Sequence, residues 1–328
     1  MFDKFYHLTG MPFLLTPDTR FFFGSSGHSR AISHLVYGLS QEEGFIVITG
    51  EVGAGKTTLV ERLWAQLDRN TYIIARVVTT QVSGDDLLRL ALAGFGVEEA
   101  PGTDKATLLR RFEEMVRNQR EAGRRCLLVV DEVQNLSLAA LEELRMLSNI
   151  TVDGRASVQT ILLGQPQFRP ILASRDAEQL RQRVLASCHL GPLNAHETRG
   201  YVEHRLRTVG WIDDPRWDEG AFDAVHRNTG GIPRRINTLC TRVLLYGSLE
   251  EAHVITGDMV DMTAGELDQD LGAGLAAPAA QAPSADAAQS EVDDLRRRID
   301  MLERKAERQD RVFRRMLDLL NAVESGRP

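Results

Sequence analysis

The sequence predicts an α/β fold, a parallel sheet with helices on both faces followed by a smaller all-helical domain. Three observations lead there. Short apolar or β-branched runs occur at 45–49 (FIVIT), 72–78 (YIIARVV), 126–130 (CLLVV) and 158–163 (VQTILL), with a weaker fifth at 188–193 (CHLGPL). Helical patterns separate them, most clearly at 105–122 and 137–149. Apolar strands alternating with helices mark a parallel sheet covered on both faces. From Asn194 to Asp270 the periodicity is helical throughout, which predicts a helical domain after the sheet. The expected organisation is an N-terminal segment at 1–44, a core at 45–193, a helical domain at 194–270, a linker at 271–290 and a charged tail at 291–324.

The first 44 residues hold Phe2, Phe5, Phe13, Phe21, Phe22 and Phe23, six of the twelve phenylalanines. So many large aromatics predict a segment packed against the sheet domain.

The strand at 45–49 runs into GEVGAGKTT, residues 50–58. Gly50, Gly55, Lys56 and Thr57 satisfy the phosphate-loop pattern G-x-x-x-x-G-K-[ST], with Glu51, Val52, Gly53 and Ala54 inside it and Thr58 after it. Glycines let the backbone approach an anion closely. Successive N–H groups and the helix start then face the phosphates. Lys56 is placed to reach the β- and γ-phosphates and Thr57 to ligate Mg2+. Four fixed positions match by accident about once in a hundred chains of this length. A strand before the loop and a helix after it lower that chance further. The expected ligands are ATP and magnesium.

The run CLLVVDEVQNL at 126–136 supplies the second half of such a site. Asp131 ends an apolar strand, where a carboxylate can hold magnesium. Glu132 follows and can polarise an attacking water, a group that a pure nucleotide binder does not need. A strand ending in Asp-Glu is a weak signal alone and a strong one downstream of a phosphate loop.

The bulk composition fits this reading. The chain has 328 residues, 43% hydrophobic and 26% charged, with a formal net charge of −7. That balance weighs against general coating of nucleic acid. The three cysteines, Cys126, Cys188 and Cys240, show neither metal-ligand nor disulfide spacing, which predicts a reducing compartment. The start, MFDKFYHLTG, lacks the pattern of a signal peptide. The expected location is cytoplasmic, with any contact with the inner membrane made through partners.

Phosphate loop, Asp-Glu pair, strands and helical domain together resemble an AAA+ ATPase. FYHLTGMPFLLTPDTRFFF, GFIVITGEVGAGKTTL, DEVQNLS, LLGQPQF, LRQRV, HLGPLNAHETRGYVEHRL and GGIPRRIN occur in order from residue 5 to residue 237. They resemble the secretion ATPases typified by general secretion pathway protein A, and most of all the subfamily of exosortase (PEP-CTERM) and exopolysaccharide loci. The resemblance implies further roles. Gln165 in LLGQPQF occupies the place of the first sensor of the γ-phosphate, where most AAA+ proteins carry Asn or Thr. Arg183 in LRQRV resembles the arginine finger that a neighbouring subunit inserts, with Arg181 as its rival. A guanidinium supplied in trans stabilises charge on the transferring phosphoryl. Arg234 in GGIPRRIN matches the second sensor at the start of a lid helix, and Arg235 projects about 100° away from it. The N-terminal segment would border the adenine pocket.

Residues 271–290 are rich in Ala, Pro and Gly, a linker composition. Residues 291–324 carry heptads with Val292, Ile299, Ala306, Phe313 and Leu320 at a, and Leu295, Leu302, Gln309, Met316 and Val323 at d. Pairs Glu291–Arg296, Arg298–Glu303 and Lys305–Asp310 are of opposite sign between g and the following e. That pattern favours a parallel homomeric coiled coil, with a single docking helix as the alternative.

The function expected is magnesium-dependent ATP hydrolysis by a motor or switch in the export of exopolysaccharide or sorted surface proteins. Self-association and protein partners of an export system are implied, and membrane contact only through them. The alternative is a DNA-acting AAA+ protein of the transposition-helper or initiator type, and a third reading is a kinase.

Overall fold

Each apolar strand run alternates its side chains between two faces, so every strand needs cover on both. The computed structural model shows how that cover is supplied. It describes residues 2–270 apart from 17, 79–83, 99–101, 153 and 157. The linker at 271–290 and the heptad tail at 291–324 lie outside the described residues.

The chain begins with a short helix α1 (Phe2–Phe5), a 3-10 turn at Thr19–Phe21 and helix α2 (Ser26–Ser40). Strand β1 (Phe45–Gly50) leads to helix α3 (Lys56–Trp64), β2 (Tyr72–Val78), and helices α4 (Gly84–Gly94) and α5 (Lys105–Glu121). Then come β3 (Arg125–Asp131), a 3-10 turn at Val133–Asn135 and α6 (Leu138–Leu147). A small hairpin pairs β4 (Thr151–Val152) with β5 (Arg155–Ala156) and precedes β6 (Val158–Gly164). Helices α7 (Phe168–Ala173) and α8 (Glu178–Arg181) precede β7 (Val184–Leu190). The remainder is helical: α9 (Ala195–Thr208), α10 (Glu219–Thr229), α11 (Pro233–Leu249) and α12 (Gly257–Asp270). Strands β8 (Arg216–Trp217) and β9 (Val254–Ile255) form a short parallel pair within it.

The five long strands form one parallel sheet in the order β2-β3-β6-β1-β7. Alternation divides their side chains cleanly. Phe45, Val47, Leu128, Val130 and Leu162 face α4, α5 and α6 in one core. Ile46, Ile48, Leu127, Val129, Ile161 and Leu163 face α2 and α3 in the other. The fifth strand starts at Val184 rather than the expected Cys188 and ends at Leu190 rather than Leu193. It lies at the sheet edge, where Ala186 and Leu190 are buried and the residues between them are not. Strand β7 therefore shows no continuous apolar run to read.

Residues up to Ser248, with His253–Ala264, form one unit; of the other described residues, Leu249–Ala252 and Gly265–Asp270 fall outside it. Within that unit, the N-terminal aromatics pack differently from the expectation. Phe2, Phe13 and Phe21, with Tyr6, are buried with Val202, Leu206, Phe222, Ile236 and Leu244 of helices α9, α10 and α11. Phe5 and Phe23 lie against the same cluster, and Phe22 against the α2–α3 side of the sheet. The sheet's faces are already occupied by α2 to α6, and the apolar stripes of the C-terminal helices remain to be covered. Main-chain bonds hold the segment in place. Thr9 N donates to Val209 O (2.9 Å), while Asn237 Nδ2 and Arg205 Nη2 donate to Leu14 O (3.3 and 3.4 Å) and Thr241 Oγ1 to Phe13 O (3.4 Å).

Candidate functional site

In an open α/β sheet the crevice for a ligand lies beyond the carboxyl ends of the strands. Here β1 ends at Gly50 between β6 and β7, and the phosphate loop begins there. A Cβ on Gly50 would lie 2.6 Å from Leu190 O, so the strand can turn out of the sheet only with glycine. Gly53 and Gly55 sit at φ 82° and 96°, in the left-handed region that costs other residues about 1–2 kcal/mol. Gly55 is the residue before α3, so the helix's unpaired N–H groups open onto the loop.

Lys56 is buried, and its Nζ donates to the loop carbonyls of Gly50 (2.7 Å) and Glu51 (3.0 Å). Burial lowers its pKa, against the opposing pull of Glu132, Asp131 and Glu51. Thr57 Oγ1 donates to Asp131 Oδ2 at 3.2 Å. Hydroxyl and carboxylate thus meet where a hard cation with oxygen ligands would be held. The donor set and the glycine cradle both fit a magnesium-nucleotide.

One partner of this carboxylate was not legible in the sequence. Arg76, on the neighbouring strand β2, places Nη2 at 3.0 Å from Asp131 Oδ2 and Nη1 at 3.5 Å from Glu61 of α3. No motif announces it. The pairing of β2 with β3 brings it there.

Glu132 follows in the left-handed conformation, φ 54°, turning its side chain out of the strand direction. Gln134 Nε2 and Gln165 Nε2 donate to Glu132 Oε2 at 2.5 and 3.0 Å. Gln134 Oε1 in turn accepts from Gln165 N at 2.9 Å. Burial raises the Glu132 pKa. The two amide bonds and the charges of Lys56 and Arg234 outweigh it, so the carboxyl titrates below its usual range. The structure therefore brings together Lys56, Thr57, Asp131, Glu132 and Gln165, and adds Gln134.

Arg234, the second residue of α11, lies over the loop. Its N donates to Gly53 O at 3.2 Å, and a Cβ on Gly53 would lie 2.3 Å from its own Cβ. Its charge acts on both Lys56 and Glu132. Arg183 is elsewhere. Its carbonyl accepts from Phe45 N at the entry of β1, a strand length of roughly 20 Å from the loop. Its guanidinium donates to Ser148 O and Oγ at 3.3 and 3.1 Å. Arg181 donates to Ala173 O.

Beside the loop lies a cleft of about 220 Å3, lined among others by Leu15, Phe22, His28, Val52, Tyr201 and Asn237. Apolar walls with a few polar groups suit the flat face of a base. Tyr201 Oη donates to Asn237 Oδ1 (2.9 Å) and accepts from Arg205 Nη1 (2.7 Å), which fixes the helical side of the cleft.

Comparison with known proteins agrees with this geometry. Residues 39–172 match the AAA domain family. General secretion pathway protein A of Aeromonas hydrophila is 34% identical over 271 residues, 81% of this chain and 48% of that protein. The chain therefore spans about half the length of the curated relative it matches. The crystal structure of CDC6P from Pyrobaculum aerophilum is similar with a TM-score of 0.64 at 14% identity, covering 79% of this chain and 74% of that one. The Aeropyrum pernix ORC2 protein in ADPNP-ADP complexes is similar with a TM-score of 0.56 at 18% identity, covering 73% and 66% of the two chains. At these identities the structural likeness is one of fold. Among the described residues no helix is long and apolar enough to cross a membrane.

Proposed function

The chain belongs to the AAA+ ATPases of the general secretion pathway protein A type, and from that premise we propose that it binds ATP with magnesium at the Gly50–Thr58 loop and hydrolyses it. The observation that carries the proposal is the convergence of Lys56, Thr57, Asp131 and Glu132 at the ends of two parallel strands.

Each residue has a physical task. Lys56 leaves its loop carbonyls to meet β- and γ-phosphate charge. Thr57 and Asp131 would hold magnesium, which supplies neutralisation across the β- and γ-phosphate oxygens. Arg76 must then share or surrender Asp131. Glu132, ionised and held by Gln134 and Gln165, orients and polarises the attacking water. Gln165 thereby serves as the first sensor, since it links the γ-phosphate side of the cleft to that carboxylate. Arg234 is the second sensor, and helices α9 to α12 act as a lid whose angle follows the nucleotide. Arg183 is too far from its own loop to act there. It would serve the site of a neighbouring subunit, with the 291–324 coiled coil assisting self-association.

The setting we infer is export or assembly of exopolysaccharide or sorted surface proteins, supported by the motif resemblance and by the secretion protein named above. Protein partners of such a system are expected, with membrane contact through them. Phosphate release by the purified chain tests the activity, with Lys56→Ala and Glu132→Gln as controls. Release unaffected by either change would refute it. Pull-down with and without residues 291–328 tests the partner assignment. A DNA-acting role is the second reading, favoured by the fold shared with origin-recognition proteins such as Aeropyrum pernix ORC1, solved in complex with DNA. Salt-dependent duplex binding with DNA-stimulated hydrolysis would establish it; the net charge of −7 weighs against it.

A further inference from the structure

His28 is a buried histidine with one ring nitrogen fixed and the other unpaired. It sits in the first turn of α2, where Ser25 is the N-cap. Ser25 Oγ accepts from the His28 backbone N–H at 3.2 Å and lies 2.7 Å from His28 Nδ1. Oγ accepts the backbone bond, and donating its own hydrogen to Nδ1 would place the ring proton on Nε2. Burial pushes the imidazole pKa down to about 4, against a small opposing pull from Glu197. The ring is therefore neutral near pH 7 and donates through Nε2. Phe22 stands edge-on to it at 5.5 Å and fixes its plane.

Nε2 has no hydrogen-bond partner among the described residues, and His28 lines the cleft beside the loop. A Cβ on Gly55 would lie 2.9 Å from this nitrogen. The donor thus rests against the last loop residue before Lys56, where the phosphate chain must pass. The nitrogen opens onto the cleft, where an acceptor on the ligand can take its N–H.

We propose that His28 is a nucleotide-binding residue whose Nε2–H donates to a phosphate oxygen that ADP and ATP have in common. The proposal rests on the ATP-site reading above. It also gives the ligand a second route to the helical region. Ser26 N donates to Glu197 Oε1 at 2.8 Å, and Glu197 forms the capping box of α9 with Asn194. Ligand, His28, Ser25 and the start of α9 then form one continuous set of contacts, independent of Arg234.

The test is calorimetric binding of Mg-ADP and of a non-hydrolysable Mg-ATP analogue to the wild type, His28→Phe and His28→Gln. Phenylalanine keeps the ring and removes the donor, while glutamine restores an amide N–H near the position of Nε2. His28→Phe is expected to weaken both ligands by the same factor, about tenfold or more, as for a lost bond to a charged acceptor. His28→Gln should recover most of it. Unchanged affinities, or a loss confined to the ATP analogue, overturn the assignment. A wild type that binds neither ligand overturns the ATP-site reading as well, and is seen before any variant is made. Should His28→Phe not fold, the wild-type chain labelled with 15N-histidine decides the question. A histidine in the Nε2–H tautomer whose proton resonance moves downfield on adding Mg-ADP supports the proposal, and histidine signals all indifferent to Mg-ADP refute it.

Discussion

Gly53 joins two constraints that can be separated experimentally. Its φ of 82° is unfavourable for any L side chain, and a Cβ there would lie 2.3 Å from Arg234 Cβ. Gly230 has the first problem without the second, with φ 59° and nothing within 4 Å of an added methyl. Gly230→Ala should therefore cost only the backbone term, about 1–2 kcal/mol. Gly53→Ala adds a contact more than 1 Å inside normal separation, and Cβ of Arg234 is not a flexible end that can swing away. Relief requires the start of α11 to move off the loop, breaking the 3.2 Å bond from Arg234 N to Gly53 O. Overpacking of this kind costs about 1–3 kcal/mol and the lost bond about 1 kcal/mol. The midpoint of thermal unfolding should fall by a few degrees in Gly230→Ala, at about 2–4 °C per kcal/mol, with ADP affinity unchanged. Gly53→Ala should fall further and bind ADP roughly ten- to a hundredfold more weakly. Calorimetric titration and a thermal melt on each variant suffice. If Gly53→Ala matches Gly230→Ala in both, α11 is not seated on the phosphate loop as described.

Glu132→Gln should keep nucleotide binding while hydrolysis drops by about 10²–10⁴, measured by phosphate release at saturating ATP. If Arg183 acts in trans, turnover per subunit should rise with protein concentration, and mixing Arg183→Ala with Lys56→Ala should restore some hydrolysis; constant turnover in dilute monomer excludes it. Ser148→Ala, which removes one intrachain acceptor of Arg183, should leave that complementation intact. His28, with a folded pKa of about 4 against about 6.5 unfolded, contributes a pH dependence of defined sign. The folded ring stays neutral while the unfolded ring protonates, so stability is full above about pH 6.5 and declines as pH falls towards 4. The loss at pH 5 is about 2 kcal/mol, and urea titrations of the wild type and His28→Phe should differ in this slope.

The phosphate loop and the Asp131-Glu132 pair were legible because their chemistry fixes residue types at set spacings. The inner strands β1, β3 and β6 were legible because burial on both faces leaves continuous apolar runs, and the edge strand β2 because six of its seven residues are apolar all the same. Strand β7 was misplaced by a few residues because only Ala186 and Leu190 in it are buried, which leaves no run to mark its start. The N-terminal aromatics announced burial but not its partner, since a count of phenylalanines carries no direction. Arg76, Gln134 and His28 are single residues of common type. Each gains meaning only through a neighbour that the fold supplies: the β2–β3 pairing, the turn after Glu132, and the packing of α2 beside Gly55. Arg234 and Arg235 are both exposed, and it is the seat of α11 on Gly53 that makes them unequal.

The stitching of the first residues to the last helices has a consequence for synthesis. Phe13 O and Thr241 Oγ1 meet across 228 positions of chain. A ribosome adding about 5–20 residues per second therefore finishes that contact roughly ten to fifty seconds after the phenylalanine emerges. For that interval Phe2, Tyr6, Phe13 and Phe21 have no permanent partner, although the sheet between them and their destination can already form. Residues made well before α11 then find their place only after it. A nascent chain stalled before α11 would display these aromatics, open to chaperones and to other unfinished copies.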